Sequence, residues 1–154
     1  MQNGGLFISR GIGRHPARKL NSWEVIFVEK GTLTIEEEGQ LFKVNAGESL
    51  LLWPQRRHVG VEDFPADLKF YWLHFEVQAS NPPVESTLTL TVPQHTTPED
   101  PQYVISLFRQ FLSEQEKLTL SAALEIILLL ILQQITLTGS AETPQDDRGV
   151  SFAW

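Results

Sequence analysis

Few side chains in this 154-residue sequence are placed to do chemistry. There is no cysteine, which excludes disulfides, thiolate metal sites and a cysteine nucleophile. His58 and His74 fall in the strand-rich part of the chain. Two isolated histidines make a poor metal site, since metals usually take three or four protein ligands, so neither a metal nor another cofactor is expected. Ser22 and Ser49 stand in no nucleophile motif, and no Gly-x-Ser-x-Gly occurs. Glu36-Glu37-Glu38 runs into Gly39 and reads as a hairpin turn rather than as positioned carboxylates. No glycine-rich phosphate loop follows a strand. No catalytic residue is assigned. Arg10, Arg14, His15 and Arg18 form a basic stretch in an acidic chain. It is either a solvated run or a clamp whose guanidinium groups grip a carboxylate or phosphate two-pronged. The stretch from Leu68 to Val77 is the most informative. Leu68, Phe70, Trp72, His74 and Glu76 share one face, and Lys69, Tyr71, Leu73, Phe75 and Val77 the other. Phe70 and Trp72 are either core or a flat apolar platform, with an indole N–H to offer a polar ligand.

These groups need a scaffold, and the bulk composition bounds it. The length fits one domain with an adequate core, and 42% hydrophobic with 20% charged residues is ordinary for a globular protein. The formal net charge of −7 argues against direct nucleic-acid contact, which phosphate neutralisation normally dominates. The opening MQNGGLF lacks a secretory pattern. The run Ile126 to Leu132 is too short to span a bilayer. A soluble, cytoplasmic chain with no membrane contact is expected.

Residues 1–20 carry glycine and proline breaks and read as a loop-like arm, with one short strand around Leu6 to Ile8. Strands are predicted at Trp23–Val28, Thr32–Ile35, Gln40–Val44, Ser49–Trp53, His58–Val61 and Leu68–Val77, separated by polar or glycine-containing turns. That density indicates an all-β sandwich or small barrel. A proline-rich connection from Ala79 to Gln94 holds a further strand candidate at Thr87 to Val92. Thr97-Pro98-Glu99-Asp100 then reads as a helix start, with Thr97 as cap and Pro98 in the first turn. Val104, Leu107, Phe108, Phe111 and Leu112 form a stripe at helical spacing. A second helix is predicted from near Thr119 or Ser121 to Leu137. It is apolar around most of its girth, so it must be buried on several sides. Residues 139–154 read as a linker or tail.

Three segments together resemble the sensor domains of AraC-type transcription regulators. The first, Trp23-Glu24-Val25-Ile26-Phe27-Val28-Glu29-Lys30-Gly31-Thr32-Leu33-Thr34-Ile35, looks like their first barrel hairpin. The second is Gly47-Glu48-Ser49-Leu50-Leu51-Leu52-Trp53-Pro54 followed by His58. The third is Phe70-Tyr71-Trp72-Leu73-His74-Phe75. The resemblance implies a mostly β fold, a cupin-like small β-barrel (double-stranded β-helix or jelly roll) followed by two C-terminal helices. It divides the chain into an arm at 1–20, an effector-binding barrel at 21–95, a helical dimerisation element at 96–138 and a linker at 139–154. The family's DNA-binding region is absent from these residues, so the chain is read as a piece of a regulator.

On that resemblance the function is effector sensing and dimerisation, with a small polar molecule such as a sugar as ligand. Phe70 and Trp72 then point into the pocket, and Lys30 falls where the family's sugar sensor places a basic contact. Gly60 falls where that sensor uses an aromatic residue. His58 is either a hydrogen-bonded loop histidine or a ligand contact at the barrel mouth. His74 joins the ligand-binding candidates, as do Arg10 and Arg14 of the arm, which in some relatives folds over the effector. Leu124, Ile127, Leu128 and Ile131 are the candidate contacts of a homodimer. The alternative is a cupin-type metal-dependent enzyme, such as a sugar isomerase or dioxygenase. Those enzymes hold a metal with two closely spaced histidines, a carboxylate and a later histidine, and the first segment here contains no histidine.

Overall fold

The computed structural model describes residues 2–77, 89–117, 121–137 and 150–153. In chain order these form β1 (Asn3–Ile8), β2 (Arg18–Lys19), β3 (Trp23–Lys30), β4 (Thr32–Glu37), β5 (Gln40–Asn45), β6 (Ser49–Leu52), β7 (Arg57–Gly60), β8 (Lys69–Phe75), β9 (Thr89–Val92), β10 (His95–Thr96), α1 (Pro101–Glu116), α2 (Ser121–Thr136) and β11 (Val150–Ala153). One antiparallel sheet has the order β1-β8-β3-β6-β10, and a second has the order β2-β7-β4-β5. A small β9–β11 pair stands apart from both sheets.

The strands do not close into the barrel or jelly roll that the sequence reading expects. Among the described residues both sheets are open, the first ending at β1 and β10 and the second at β2 and β5. The physical reason lies at the corners. A bulge between Val28 and Lys30, followed by Gly31 at φ 78°, swings the chain out of β3 and into β4 in the other sheet. Only glycine takes that backbone readily. A side chain there would also meet the Leu68 Cα at 3.0 Å. The ladder breaks where closure would need it continuous, so β3 and β4 are not a hairpin. β4 pairs with β5 and β7 instead.

The two sheets face each other across a core of Ile26, Val28, Leu33, Ile35, Phe42, Val44, Leu50, Leu52, Leu68 and Phe70. The other face of the five-stranded sheet presents Val25, Phe27, Leu51, Tyr71, Leu73 and Phe75 to the helices. β3 and β6 are thus covered on both sides, which explains runs without alternation. β8 keeps the two faces read from its sequence.

Helix α1 starts at Pro101, three residues beyond the expected start, and Asp100 is its cap, accepting from the Tyr103 N–H at 3.0 Å. Both Thr97-Pro98 and Asp100-Pro101 carry a cap-then-proline signal. Pairing of β10 with β6 and a hydrogen bond from the Glu99 N–H to the Leu137 carbonyl hold the chain out of helix up to Asp100. Val104, Leu107, Phe108 and Phe111 are buried as the stripe implies. Helix α2 buries Ile127, Leu128, Ile131, Leu132 and Ile135 in the same core, while Ile126 remains 59% exposed. The residues from 79 to 88 and the possible start at Thr119 lie outside the described residues.

The strand expected around Leu6 to Ile8 is present but longer, a second strand follows it in the arm, and the tail carries one as well. Residues 1–20 supply an edge strand to each sheet, β1 against β8 and β2 against β7. The Gln115 side chain on α1 ties β1 down, donating to the Gly4 carbonyl at 3.0 Å and accepting from its N–H at 2.8 Å. At the other end, β11 places Phe152 edge-on against Trp23, ring centroids 4.9 Å apart, and against Phe75 at 5.7 Å. Two apolar residues in a polar, proline-containing stretch are too short a pattern to announce a strand.

Candidate functional site

Glu24 begins the site. It sits in β3 between Trp23 and Val25, and strand alternation turns it, with Ile26 and Val28, toward the space between the sheets. Its carboxylate is almost fully buried. The neighbouring strand β8 pairs His74 directly with Glu24, which puts His74 Nε2 at 3.3 Å from Glu24 Oε1. From the second sheet, β7 contributes His58, with Nε2 at 3.8 Å from Glu24 Oε2. The arm contributes His15, buried just before β2, its ring edge-on to that of His58 with centroids 5.2 Å apart.

His15 reaches this position because Gly60 follows on β7. The Gly60 N–H donates to the His15 carbonyl at 2.9 Å. A Cβ on residue 60 would lie 2.5 Å from the His15 nitrogen and 3.0 Å from its carbonyl oxygen. No side chain larger than hydrogen fits there, so the glycine noted from sequence as a missing aromatic is what admits the arm.

Burial governs the charges. It pushes His15 down to about 4, against the opposing pull of the Glu24 carboxylate. His58 is lowered for the same reason, again with Glu24 opposing. Burial alone would raise Glu24. The close approach of His74, with the positive fields of the surrounding groups, outweighs it and holds the carboxyl below its usual value. Near neutral pH the cluster is therefore an ionised carboxylate beside uncharged His15 and His58. Several of its atoms lack partners. Among the described residues, Glu24 Oε2, both ring nitrogens of His58 and His74 Nε2 are buried with no hydrogen bond, the Glu24–His74 approach being close but not aligned as one.

Of the residues singled out by sequence, the fold brings together His58, His74 and Trp72. Trp72 is half-buried, its ring centroid 5.0 Å from that of His74. Phe70 is fully packed in the core between the sheets and stacks on Phe7 at 4.9 Å. Lys30 is exposed at the opposite end of β3 from Glu24. Arg10 is exposed, and Arg14, also exposed, pairs with Asp63 at 3.0 Å.

Residues 9–132 match the family described as the AraC-like ligand binding domain. The chain belongs to that family. Membership assigns this AraC-like domain to ligand recognition rather than catalysis. Among curated proteins it is similar to an uncharacterised HTH-type transcriptional regulator, YisR, of Bacillus subtilis strain 168, with 35% identity over 77 residues. That match covers 46% of this chain and 27% of the relative, so the chain spans about a quarter of the length of the curated relative it matches. Among solved structures it is similar to a putative mannose-6-phosphate isomerase from Ralstonia eutropha JMP134, with TM-score 0.45 and 20% identity, covering 49% of this chain and 75% of that one. It is likewise similar to a Cupin 2 conserved barrel domain protein from Salinispora arenicola CNS-205, with TM-score 0.43 and 16% identity, covering 49% and 63%. No helix among the described residues is long and apolar enough to cross a membrane.

Sequence reasoning missed Glu24 and passed over His15 as part of the arm. A signal for Glu24 was available, since it is a lone carboxylate inside the apolar run Trp23 to Val28. None was available for His15, whose loop has no period to say which residues turn inward.

Proposed function

We propose that this AraC-like domain is the effector-sensing and dimerisation unit of a transcription regulator, and that it takes up a small polar molecule such as a sugar beside Trp72. The supporting observation is an apolar indole next to buried polar atoms that lack partners, His74 Nε2 foremost. Each buried unpaired group costs roughly 1–3 kcal/mol, and a hydroxyl-bearing ligand, both donor and acceptor, relieves that cost. Trp72 supplies the flat apolar surface that the C–H face of such a molecule prefers. DNA contact is assigned to another part of the regulator, in keeping with the net charge of −7.

A panel of pentoses, hexoses and small carboxylic acids, followed by tryptophan fluorescence, tests the reading. The chain has four tryptophans, so each response is compared with that of Trp72→Phe. At least one compound is expected to bind saturably, with affinity falling about tenfold or more in Trp72→Ala, equivalent to about 1.4 kcal/mol. Binding that is indifferent to Trp72, or a panel without a response, counts against it.

The dimerisation half rests on the helices. Ile127, Leu128 and Ile131 are buried within one chain and Leu124 is half-buried, so the surface open to a second copy is the face of α2 bearing Ile126 and Leu129. A self-complementary contact along this face is the simplest closure. Sedimentation equilibrium is expected to give twice the chain mass, shifting toward the monomer in Ile126→Glu. A wild-type protein that stays monomeric at tens of micromolar sinks this half alone.

A further inference from the structure

We propose that His15, Glu24 and His58 hold a divalent transition-metal ion of the zinc, nickel or cobalt class. One ligand atom from each of the three lies within 4.8 Å of the other two, and all three residues are buried. A point central to such a triangle is about 3 Å or less from each atom. Closing to the 2.0–2.2 Å of zinc–nitrogen and zinc–oxygen bonds takes shifts of about 1 Å or less.

The donor set fits. Two imidazoles and one carboxylate select borderline transition metals over calcium or magnesium, which prefer oxygen alone. Binding requires neutral histidines and an ionised carboxylate, so it is expected to weaken as pH falls. The second shell is also present. His15 Nδ1 lies 3.2 Å from the Pro16 carbonyl, which can accept only from an N–H, so Nε2 is left with the free lone pair. Among the described residues, Glu24 Oε2 and both nitrogens of His58 have no aligned hydrogen bond to give up. His74, at 3.3 Å from the other Glu24 oxygen, is placed to orient the carboxylate. The Arg18 guanidinium lies near enough to influence all three groups and opposes a cation. That opposition disfavours ions held by charge alone more than ions that bond to nitrogen. The two closely spaced histidines of cupin enzymes are absent. The third donor comes instead from the arm, through the space that Gly60 leaves.

The inference does not depend on the identity of the effector, because the ion is held by His15, Glu24 and His58, whereas the effector reading rests on Trp72 and His74 Nε2. The whole protein is stripped with a chelator, exchanged into chelator-free buffer and titrated with Zn(II), Ni(II) and Co(II) in the absence of any sugar. One equivalent per chain is expected, seen by calorimetry, by elemental analysis after dialysis, and by the ligand-field absorption of bound Co(II). Glu24→Gln, His58→Gln and His15→Gln should each weaken binding by roughly 100-fold or more, beyond the 10–100-fold that losing a ligand's hydrogen-bond partner costs. His95→Gln, which removes the histidine paired with Glu48 elsewhere, should leave it unchanged. Circular dichroism identifies any variant that fails to fold, and the wild-type titration decides independently of the variants. Absence of binding to wild type at tens of micromolar metal overturns the proposal. So does binding that survives all three substitutions, or that calcium and magnesium match.

Discussion

Phe108→Ala is expected to lower the unfolding free energy by about 3–5 kcal/mol, the largest effect of any substitution considered. Phe108 is 1% exposed and lies where α1 meets the five-stranded sheet. Its ring stacks on Tyr71 of β8 with centroids 5.5 Å apart and on Phe27 of β3 at 6.4 Å. Removing the ring forfeits its transfer free energy and leaves a cavity. The walls cannot collapse into that cavity cheaply, since the strands on one side are held by their ladders. The helix is held as well, by Arg109, whose Nε donates to the Tyr71 hydroxyl at 3.1 Å and whose Nη2 donates to Glu29 at 3.1 Å. The comparison is Tyr103→Ala on the same helix. Tyr103 is 40% exposed, and its loss should cost within about 0.5 kcal/mol. Urea unfolding of both variants at one pH checks the pair. A Phe108→Ala loss below about 1.5 kcal/mol would show that α1 does not seat on the sheet as described.

The second large effect is acid lability. In the presence of a chelator, the protein is expected to lose roughly 3 kcal/mol between pH 7.5 and about 4 through His15 alone. Burial holds folded His15 near 4, whereas in the unfolded chain it titrates near 6.5. Between those values the unfolded state carries a proton that the folded state lacks. This contribution is therefore fully present above about pH 6.5 and is lost as pH falls toward the folded value. His58 shifts in the same direction and adds to the slope. The lowered Glu24 acts further down, its contribution being present above the ordinary carboxylate range and lost as pH falls through its folded value. Urea midpoints at intervals from pH 7.5 to 4.5 give the curve, and His15→Gln should flatten its upper part. Midpoints constant across that range would mean that His15 is not buried as an uncharged group.

The sequence by itself determined what repeats with a local period. Alternation along Leu68 to Val77 separated the residues facing the opposite sheet from those facing the helices, and the structure keeps that division in Phe70 against Tyr71 and Leu73. Helical spacing identified the buried stripe of α1, including Phe108 and Phe111. The order of the three strand-rich segments carried the family. Tertiary structure alone decided whatever depends on pairing between distant residues. Open sheets rather than a barrel follow from how far the chain turns at Gly31, a dihedral that no periodicity encodes. The side of α2 left exposed follows from how α1 and β9 cover the rest, since a helix apolar around most of its girth has no sequence-defined inner face. The site is the clearest case. Glu24 meets His74 because β3 and β8 pair in one register, and a shift of one residue would turn either side chain to the other face. His15 joins them only because Gly60 leaves room for its backbone. Side-chain chemistry is written residue by residue, but burial, the withdrawal of protons and the convergence of donors arise only when strands far apart in the chain are brought within a few ångströms.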